Sequence, residues 1–239
     1  MQRYFARIVE KEVVLENDDV FHLTKVMRAR VGDQIEVVSN EKVFLCEVKS
    51  LKPLHIALVK RINEKSELPN QVILVASLVK GDHMDLILQK ATELGVSEVV
   101  LLSTERTVVK IKKDDKDIKF VRFNKILKEA AEQCKRKKIP DCYRLINMSQ
   151  LKEIQAEVKL IAYEDEKGSS EAFNKAVQGI KDNQKIAIVI GPEGGFTQEE
   201  VNLALSLGYK KVGLGRRILR AETAAFYALS VISNFLERK

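Results

Sequence analysis

From Gln71 onward strands alternate with helices along the chain, which predicts an α/β domain with a largely parallel sheet, and the first 62 residues predict a small β-rich barrel in front of it. Two observations carry the division. The connection Asn63-Glu64-Lys65-Ser66-Glu67-Leu68-Pro69-Asn70 is polar and carries a proline, as a domain boundary does. Across it the pattern changes from short β-branched runs to buried apolar strands followed by amphipathic helices. Two domains are therefore expected, 1–68 and 69–239.

In the first, Tyr4 to Val9 and Glu12 to Glu16 read as strands. Asn17 or Asp18 is placed to cap a helix with Val20, Leu23, Val26 and Met27 at helical spacing. Gln34 to Ser39, Lys42 to Lys49 and His55 to Arg61 alternate as strands, broken by Asn40-Glu41 and by Pro53. In the second, Val72 to Leu78 is an apolar strand and Asp82 is the expected cap of a helix carrying Met84, Ile87, Leu88, Ala91 and Leu94 on one face. Gly95 ends that helix and Val99 to Leu102 resumes the sheet. A long helix follows, its stripe running from Phe120 and Phe123 through Ile126, Leu127, Ala130 and Ala131 to Cys134. Pro140 is its expected stop. Strands at Val158 to Tyr163, Lys185 to Ile190 and Lys211 to Leu214 then alternate with helices at Glu171 to Ile180 and Gln198 to Leu207, before a final helix through Ala224, Ala228 and Ile232.

The composition, 45% apolar and 31% charged, is that of a globular protein with a real core. No apolar run approaches the ~20 residues of a membrane span and Met1 to Arg7 lacks the apolar segment of a signal peptide, so a cytoplasmic location is expected. Cys46, Cys134 and Cys142 are an odd number without CxxC spacing, and His22, His55 and His83 stand apart, so no metal site is expected. The formal net charge is +7. It is unevenly spread: Met1 to Leu68 holds 12 basic and 11 acidic residues, whereas Thr104 to Ile139 holds 13 basic and 6 acidic. Such concentration is the footprint of a polyanion-binding face, with solvated helix lysines as the plainer alternative.

Two loops carry chemistry. Ile186 to Ile190 runs as a buried strand into Gly191-Pro192-Glu193-Gly194-Gly195-Phe196, and Thr197 with Glu200 forms a capping box on the helix beyond. Glycines at a strand's carboxyl end allow positive φ and a close approach of ligand to backbone. The loop matches neither GxGxxG nor the P-loop. Glu193 within it would repel a pyrophosphate, so a cationic or zwitterionic small molecule fits better. In the second loop, Val212-Gly213-Leu214-Gly215 leads through Arg216-Arg217-Ile218-Leu219-Arg220 into a helix opened by Glu222 and Thr223. These arginines are expected to face a phosphodiester or a reactive base.

The run GPEGGF at Gly191 to Phe196, LGRRILRAETAA at Leu214 to Ala225, LQKATELGV at Leu88 to Val96 and EAAEQCKRKKIP at Glu129 to Pro140 together resemble the RsmE family. Its members are SPOUT-superfamily methyltransferases that act on N3 of a uridine in 16S ribosomal RNA with S-adenosylmethionine. The resemblance spans nearly the whole chain, departing from the family's pattern at Arg216, where proline is frequent, and at Ala221, where threonine is frequent. It implies a PUA-like, RNA-binding barrel and a SPOUT domain with a C-terminal trefoil knot over roughly 160–239, an exception to the rule against knotted chains. It also implies a homodimer sharing the RNA site, bound to the small ribosomal subunit.

The same resemblance places the methyl donor among three loops. Its contacts would be Ala162, Tyr163 and Glu164, then Ile190, Gly191, Pro192, Gly194 and Gly195, then Leu214, Gly215, Ile218, Leu219 and Arg220, with Thr223. A sulfonium methyl is electrophilic without a metal, so the protein must mainly position donor and acceptor. The proton on N3 must leave to a carboxylate or to water, and Glu193 and Glu222 are the candidates. Arg220 would stabilise deprotonated uracil or grip a phosphate. Arg3, Arg7, Arg28, Arg30, Arg106, Lys135, Arg136, Lys137 and Lys138, with Arg216 and Arg217, would bind RNA. The alternatives are a SPOUT enzyme with another target, such as a transfer RNA ribose, and a non-catalytic RNA-binding or ribosome-assembly factor.

Overall fold

The computed structural model describes residues 1–111, 115–164 and 170–238. They form two compact units, one of Met1–Glu67 with Ala131–Lys138, the other within Leu68–Ala130 and Ile139–Lys239. The single cut expected near residue 68 thus meets one exception, a short segment far along the chain that clusters with the first unit.

The first unit holds strands β1 (Arg3–Phe5), β2 (Arg7–Val9), β3 (Glu12–Val14), β4 (Gln34–Ser39), β5 (Lys42–Leu51) and β6 (Leu54–Ile62) in one sheet of order β1-β4-β5-β6-β3-β2. β1 and β2 lie at opposite ends of this ladder yet are joined by Ala6 alone, so the sheet must curl round on itself. Tyr4, Leu23, Ile35, Val37, Cys46, Val48 and Ile56 fill the interior. Helix α1 (Asn17–Phe21) is shorter than the spacing predicts and continues as a π-helical turn over His22–Val26. Its N-cap is Glu16, without a side-chain cap bond, so neither Asn17 nor Asp18 has the expected role; Asp18 and Asp19 sit in the first turn, where the helix dipole favours acids.

The second unit is a parallel sheet of order β12-β10-β11-β7-β8-β9. Its strands are β7 (Val72–Ser77), β8 (Glu98–Ser103), β9 (Leu145–Asn147), β10 (Val158–Ala162), β11 (Ile186–Ile190) and β12 (Lys210–Val212). Side chains alternate across it, and both faces are covered. Val72, Leu74, Leu101, Leu160 and Ile188 pack with α2 (His83–Glu93), α3 (Lys116–Gln133) and α6 (Ala221–Glu237). Ile73, Val75, Val100, Ile161 and Val189 pack on the other side with α5 (Gln198–Ser206) and a 3-10 helix at Met148–Glu153. Burial on both faces explains why these strands read as continuous apolar runs. Helix α4 (Glu171–Gln178) adds Phe173 and Val177 to the first layer.

β9 and the 3-10 helix have no counterpart in the sequence reading, three residues being too few to show a period. Asp82 stands at the N-cap of α2 but makes no side-chain cap bond. Pro140 is not what stops α3. The helix ends at Gln133, with Lys135 at φ 65° and the Arg136 N–H donating to the Ala131 carbonyl at 2.9 Å, a Schellman-type close with lysine where glycine is usual.

Candidate functional site

Three neighbouring strands, β12, β10 and β11, end beside one cavity of about 590 Å³, within the usual range for small-molecule sites. Its walls come from Ala162–Glu164 after β10, from the β11 loop, from Gly213–Arg220 after β12, and from the first turns of α2 and α6. This is the carboxyl edge of the sheet, where open α/β folds hold ligands.

The glycines of the β11 loop have a physical reason. Gly195 has φ +67°, and a Cβ there would lie 2.3 Å from Glu164 Oε1, so only glycine lets the Glu164 carboxylate reach the cavity rim. At Gly191 a Cβ would come within 3.0 Å of the Phe196 ring, which is buried against the loop. The Gly195 N–H donates to the Pro192 carbonyl at 2.9 Å and closes the turn. Thr197 and Glu200 form the expected capping box, and Glu200 Oε1 also accepts from the Glu105 N–H at 2.8 Å, so one carboxylate ties two loops together.

The sequence-predicted residues divide cleanly. Ala162, Tyr163, Glu164, Ile190, Gly191, Pro192, Gly195, Leu214, Gly215, Ile218, Leu219 and Arg220 line the cavity, as do Glu193, Glu222, Arg216 and Arg217. Gly194 and Thr223 do not. Gly194 faces Arg106, whose Nη1 donates to its carbonyl at 3.0 Å, and Thr223 points outward from the first turn of α6. Phe196, Gly213, Ala221, Ala224 and His83 line it without having been expected. His83 carried no motif; only its position one turn beyond the carboxyl end of β7 could have pointed to it.

The carboxylates sit differently. Glu193 is exposed, and its Oε1 accepts from the Lys80 N–H at 3.0 Å. Glu222, in the first turn of α6, has a side chain only 13% exposed, and its Oε1 lies 3.5 Å from His83 Nδ1. Arg220 is the N-cap residue of the same helix, exposed at the rim. Ile218 is 80% exposed, an unusual state for isoleucine at a cavity wall.

Several residues expected to bind RNA are spent inside the first unit. Arg3 is fully buried, bonded to Glu36 at 3.0 Å, to both oxygens of Glu64 and to the Lys135 carbonyl. Arg136 is buried against Glu67 at 2.6 Å. Lys135 Nζ reaches Glu36 and the Met1 carbonyl, Lys137 Nζ the Glu64 carbonyl and Lys138 Nζ Glu41. Within the run Lys135 to Lys138, Lys135 and Arg136 are thus engaged by acids of their own unit, while Lys138 is exposed and pairs with an exposed Glu41. Arg7, Arg28, Arg30, Arg106, Arg216 and Arg217 remain exposed.

Comparison with known proteins gives the class first. Residues 66–233 match the model of an RNA methyltransferase domain and residues 15–61 that of an RNA methyltransferase PUA domain. The chain is an α/β RNA methyltransferase with an N-terminal PUA-like domain. Ribosomal RNA small subunit methyltransferase E of Bacillus subtilis is 36% identical, over 98% of this chain and 96% of its own. That of Synechocystis is 32% identical over 97% and 76%. A crystal structure of the Neisseria gonorrhoeae protein of that name, bound to S-adenosyl methionine, aligns with a TM-score of 0.86 at 26% identity, covering 98% of this chain and 97% of that one. The chain belongs to the ribosomal RNA small subunit methyltransferase E family.

Proposed function

We propose that this protein methylates N3 of a uridine in 16S ribosomal RNA, using S-adenosylmethionine bound in the cavity at the ends of β10, β11 and β12. The observation that carries this reading is the donor set of that cavity. Apolar Ala162, Ile190, Phe196, Leu214 and Leu219 suit an adenine and a thioether chain, and Glu164 suits ribose hydroxyls or an ammonium. The residues present fit the group, and among the described residues no lysine lines the cavity as the lysine of a phosphate cradle would. When bound, the cofactor supplies a methyl already activated by its sulfonium.

The chain's own residues supply the rest. Glu222 accepts the N3 proton: it is held largely buried at the cavity, whereas Glu193 is engaged by a backbone N–H and faces solvent. Arg220 stabilises the charge that develops on the uracil oxygens, a task for a permanent cation with a planar donor fork. Arg7, Arg28, Arg30, Arg106, Arg216 and Arg217 contact the RNA backbone, and the base enters unpaired, because N3 is masked in a helix.

The domains are a PUA-like, RNA-binding part over 1–68 and a SPOUT methyltransferase part over 69–239, with a trefoil knot over roughly 160–239. The ladder supports the knot: β12 pairs with β10 while β11, between them in sequence, lies on the other side. The working form is a cytoplasmic homodimer on the small ribosomal subunit. The test is incubation with S-adenosylmethionine and under-methylated small subunits, followed by nucleoside mass spectrometry. N3-methyluridine is the expected product; a methylated ribose, or donor binding without any methylated nucleoside, overturns the reading.

A further inference from the structure

We propose that His83 is a positioning residue for methyl transfer, acting through Glu222. The inference rests on the reading of Glu222 as the proton acceptor. His83 is the first residue of α2 and Glu222 the second of α6, two helices packed on each other, so both side chains are carried by rigid elements. Their tips, Nδ1 and Oε1, lie 3.5 Å apart at the same cavity wall. Glu222 is largely covered, while the imidazole is about half exposed. A carboxylate at a cavity wall has several rotamers, which present its oxygens in different directions. A polar ring nitrogen held 3.5 Å from Oε1 by a second helix narrows the rotamers open to the carboxylate and turns one oxygen toward His83, leaving the other oxygen for the substrate.

The surroundings fit this role. Arg216, Arg217 and Arg220, which share the cavity, lie on the loop after β12, and none of the three forms an ion pair with Glu222. On His83's own helix Asp85 is held by Arg122 of α3. Among the described residues His83 is the basic side chain within 4 Å of the Glu222 carboxylate.

In the step itself, the N3–H proton passes to the Glu222 oxygen turned to the substrate. The electron pair left on N3 forms the bond to the methyl carbon, and the carbon–sulfur bond breaks with its pair remaining on sulfur. Glu222 then returns the proton to water. His83 forms no bond to the substrate; it keeps the accepting oxygen in line.

The experiment is steady-state methylation of under-methylated small subunits at saturating donor, with a single-turnover run to confirm that chemistry is the slowed step, donor affinity read by calorimetry and product by nucleoside mass spectrometry. His83→Ala is expected to lower kcat by about ten- to a hundredfold, the scale of misplacing a reacting group by an ångström. KM for the subunit and the donor Kd should stay within twofold. His83→Lys, which again presents a donor to the carboxylate, is expected to recover most of the loss. In a Glu222→Gln background the His83→Ala change should have no further effect. Independently of activity, the imidazole resonances of His83 should move on Glu222→Gln. Unchanged kcat in His83→Ala, additive losses in the double variant, or unmoved resonances overturn the proposal while leaving the functional reading intact. An unsubstituted protein that makes no N3-methyluridine overturns both.

Discussion

Gly195→Ala separates two effects that the loop geometry predicts to be distinct. The new Cβ meets φ +67°, where a non-glycine residue is strained by roughly 1–2 kcal/mol, and it meets Glu164 Oε1 at 2.3 Å. The carboxylate is the far end of an exposed side chain and can swing aside, so the clash itself adds little to the stability loss. For a chain of 239 residues, about 1–2 kcal/mol lowers Tm by about 2–8 °C. The displaced carboxylate is the larger consequence for binding, because a hydrogen bond involving a charged group contributes about 1.5–3 kcal/mol, a ten- to more than hundredfold change in Kd. Calorimetry of S-adenosylmethionine binding and a thermal scan should be run on Gly195→Ala, Glu164→Ala and the double variant. The loss of affinity should appear in each single variant and not deepen in the double, while the Tm loss of Gly195→Ala should persist unchanged in the Glu164→Ala background. Wild-type affinity in Gly195→Ala, or additive affinity losses, would refute the reasoning.

Three further outcomes follow from the packing. Burial raises the Glu67 carboxyl, but the Arg136 hydrogen bond and charge and the Lys137 and Lys138 N–H groups outweigh it and leave it below its ordinary 4.5; Glu36 is likewise lowered, by Lys135 and Arg3. Such groups stabilise fully above the unfolded value and lose that contribution as pH falls through the folded one, so Tm should drop below about pH 4.5, and Glu67→Gln should flatten the drop while lowering Tm at pH 7. Arg3→Met strips Glu36 and Glu64 of their buried partner and should destabilise by an amount near the lower end of roughly 3–5 kcal/mol, since both acids keep some solvent, as urea unfolding will show. Burial pushes the thiols of Cys46 and Cys142 up to about 11 and about 12, so a maleimide at pH 7.5 should label the native protein at Cys134 alone and all three cysteines after unfolding, counted by intact mass.

Where a sequence signal was periodic or geometric, it transferred to the structure. The strands of the parallel sheet are apolar on both faces because both are covered, so they stood out as runs, and the positive φ expected among the loop glycines is found at Gly195, with the close neighbours of Gly195 and Gly191 being the Glu164 and Phe196 side chains. The capping box at Thr197 and Glu200 could be read from two residues because its two hydrogen bonds are local. His83 has no signal in the sequence because the carboxylate it faces lies on α6, some 140 residues away in the chain, and no spacing encodes a contact between helix ends.

Charge is the property least legible in the sequence. Composition locates lysines and arginines along the chain but not the acids that the fold brings to them: Lys135, Arg136 and Lys138 of the densest basic run are met by Glu36, Glu67 and Glu41 from sixty to a hundred residues earlier. The same run closes α3 through a lysine in the left-handed region, a conformation that its bonds to Glu36 and the Met1 carbonyl help to hold. Reversing its charge should therefore unfold the first unit before it tests any binding to RNA. A charge-reversal series aimed at RNA belongs on Arg7, Arg28, Arg30, Arg106, Arg216 and Arg217, all exposed. For those, Arg106 with its bond to the Gly194 carbonyl aside, substitution should leave Tm nearly unchanged and lower the slope of log affinity against log salt by about one for each phosphate no longer neutralised. A variant in this set that loses stability instead of salt dependence would show that its arginine, like Arg3, is held by the fold and not offered to the RNA.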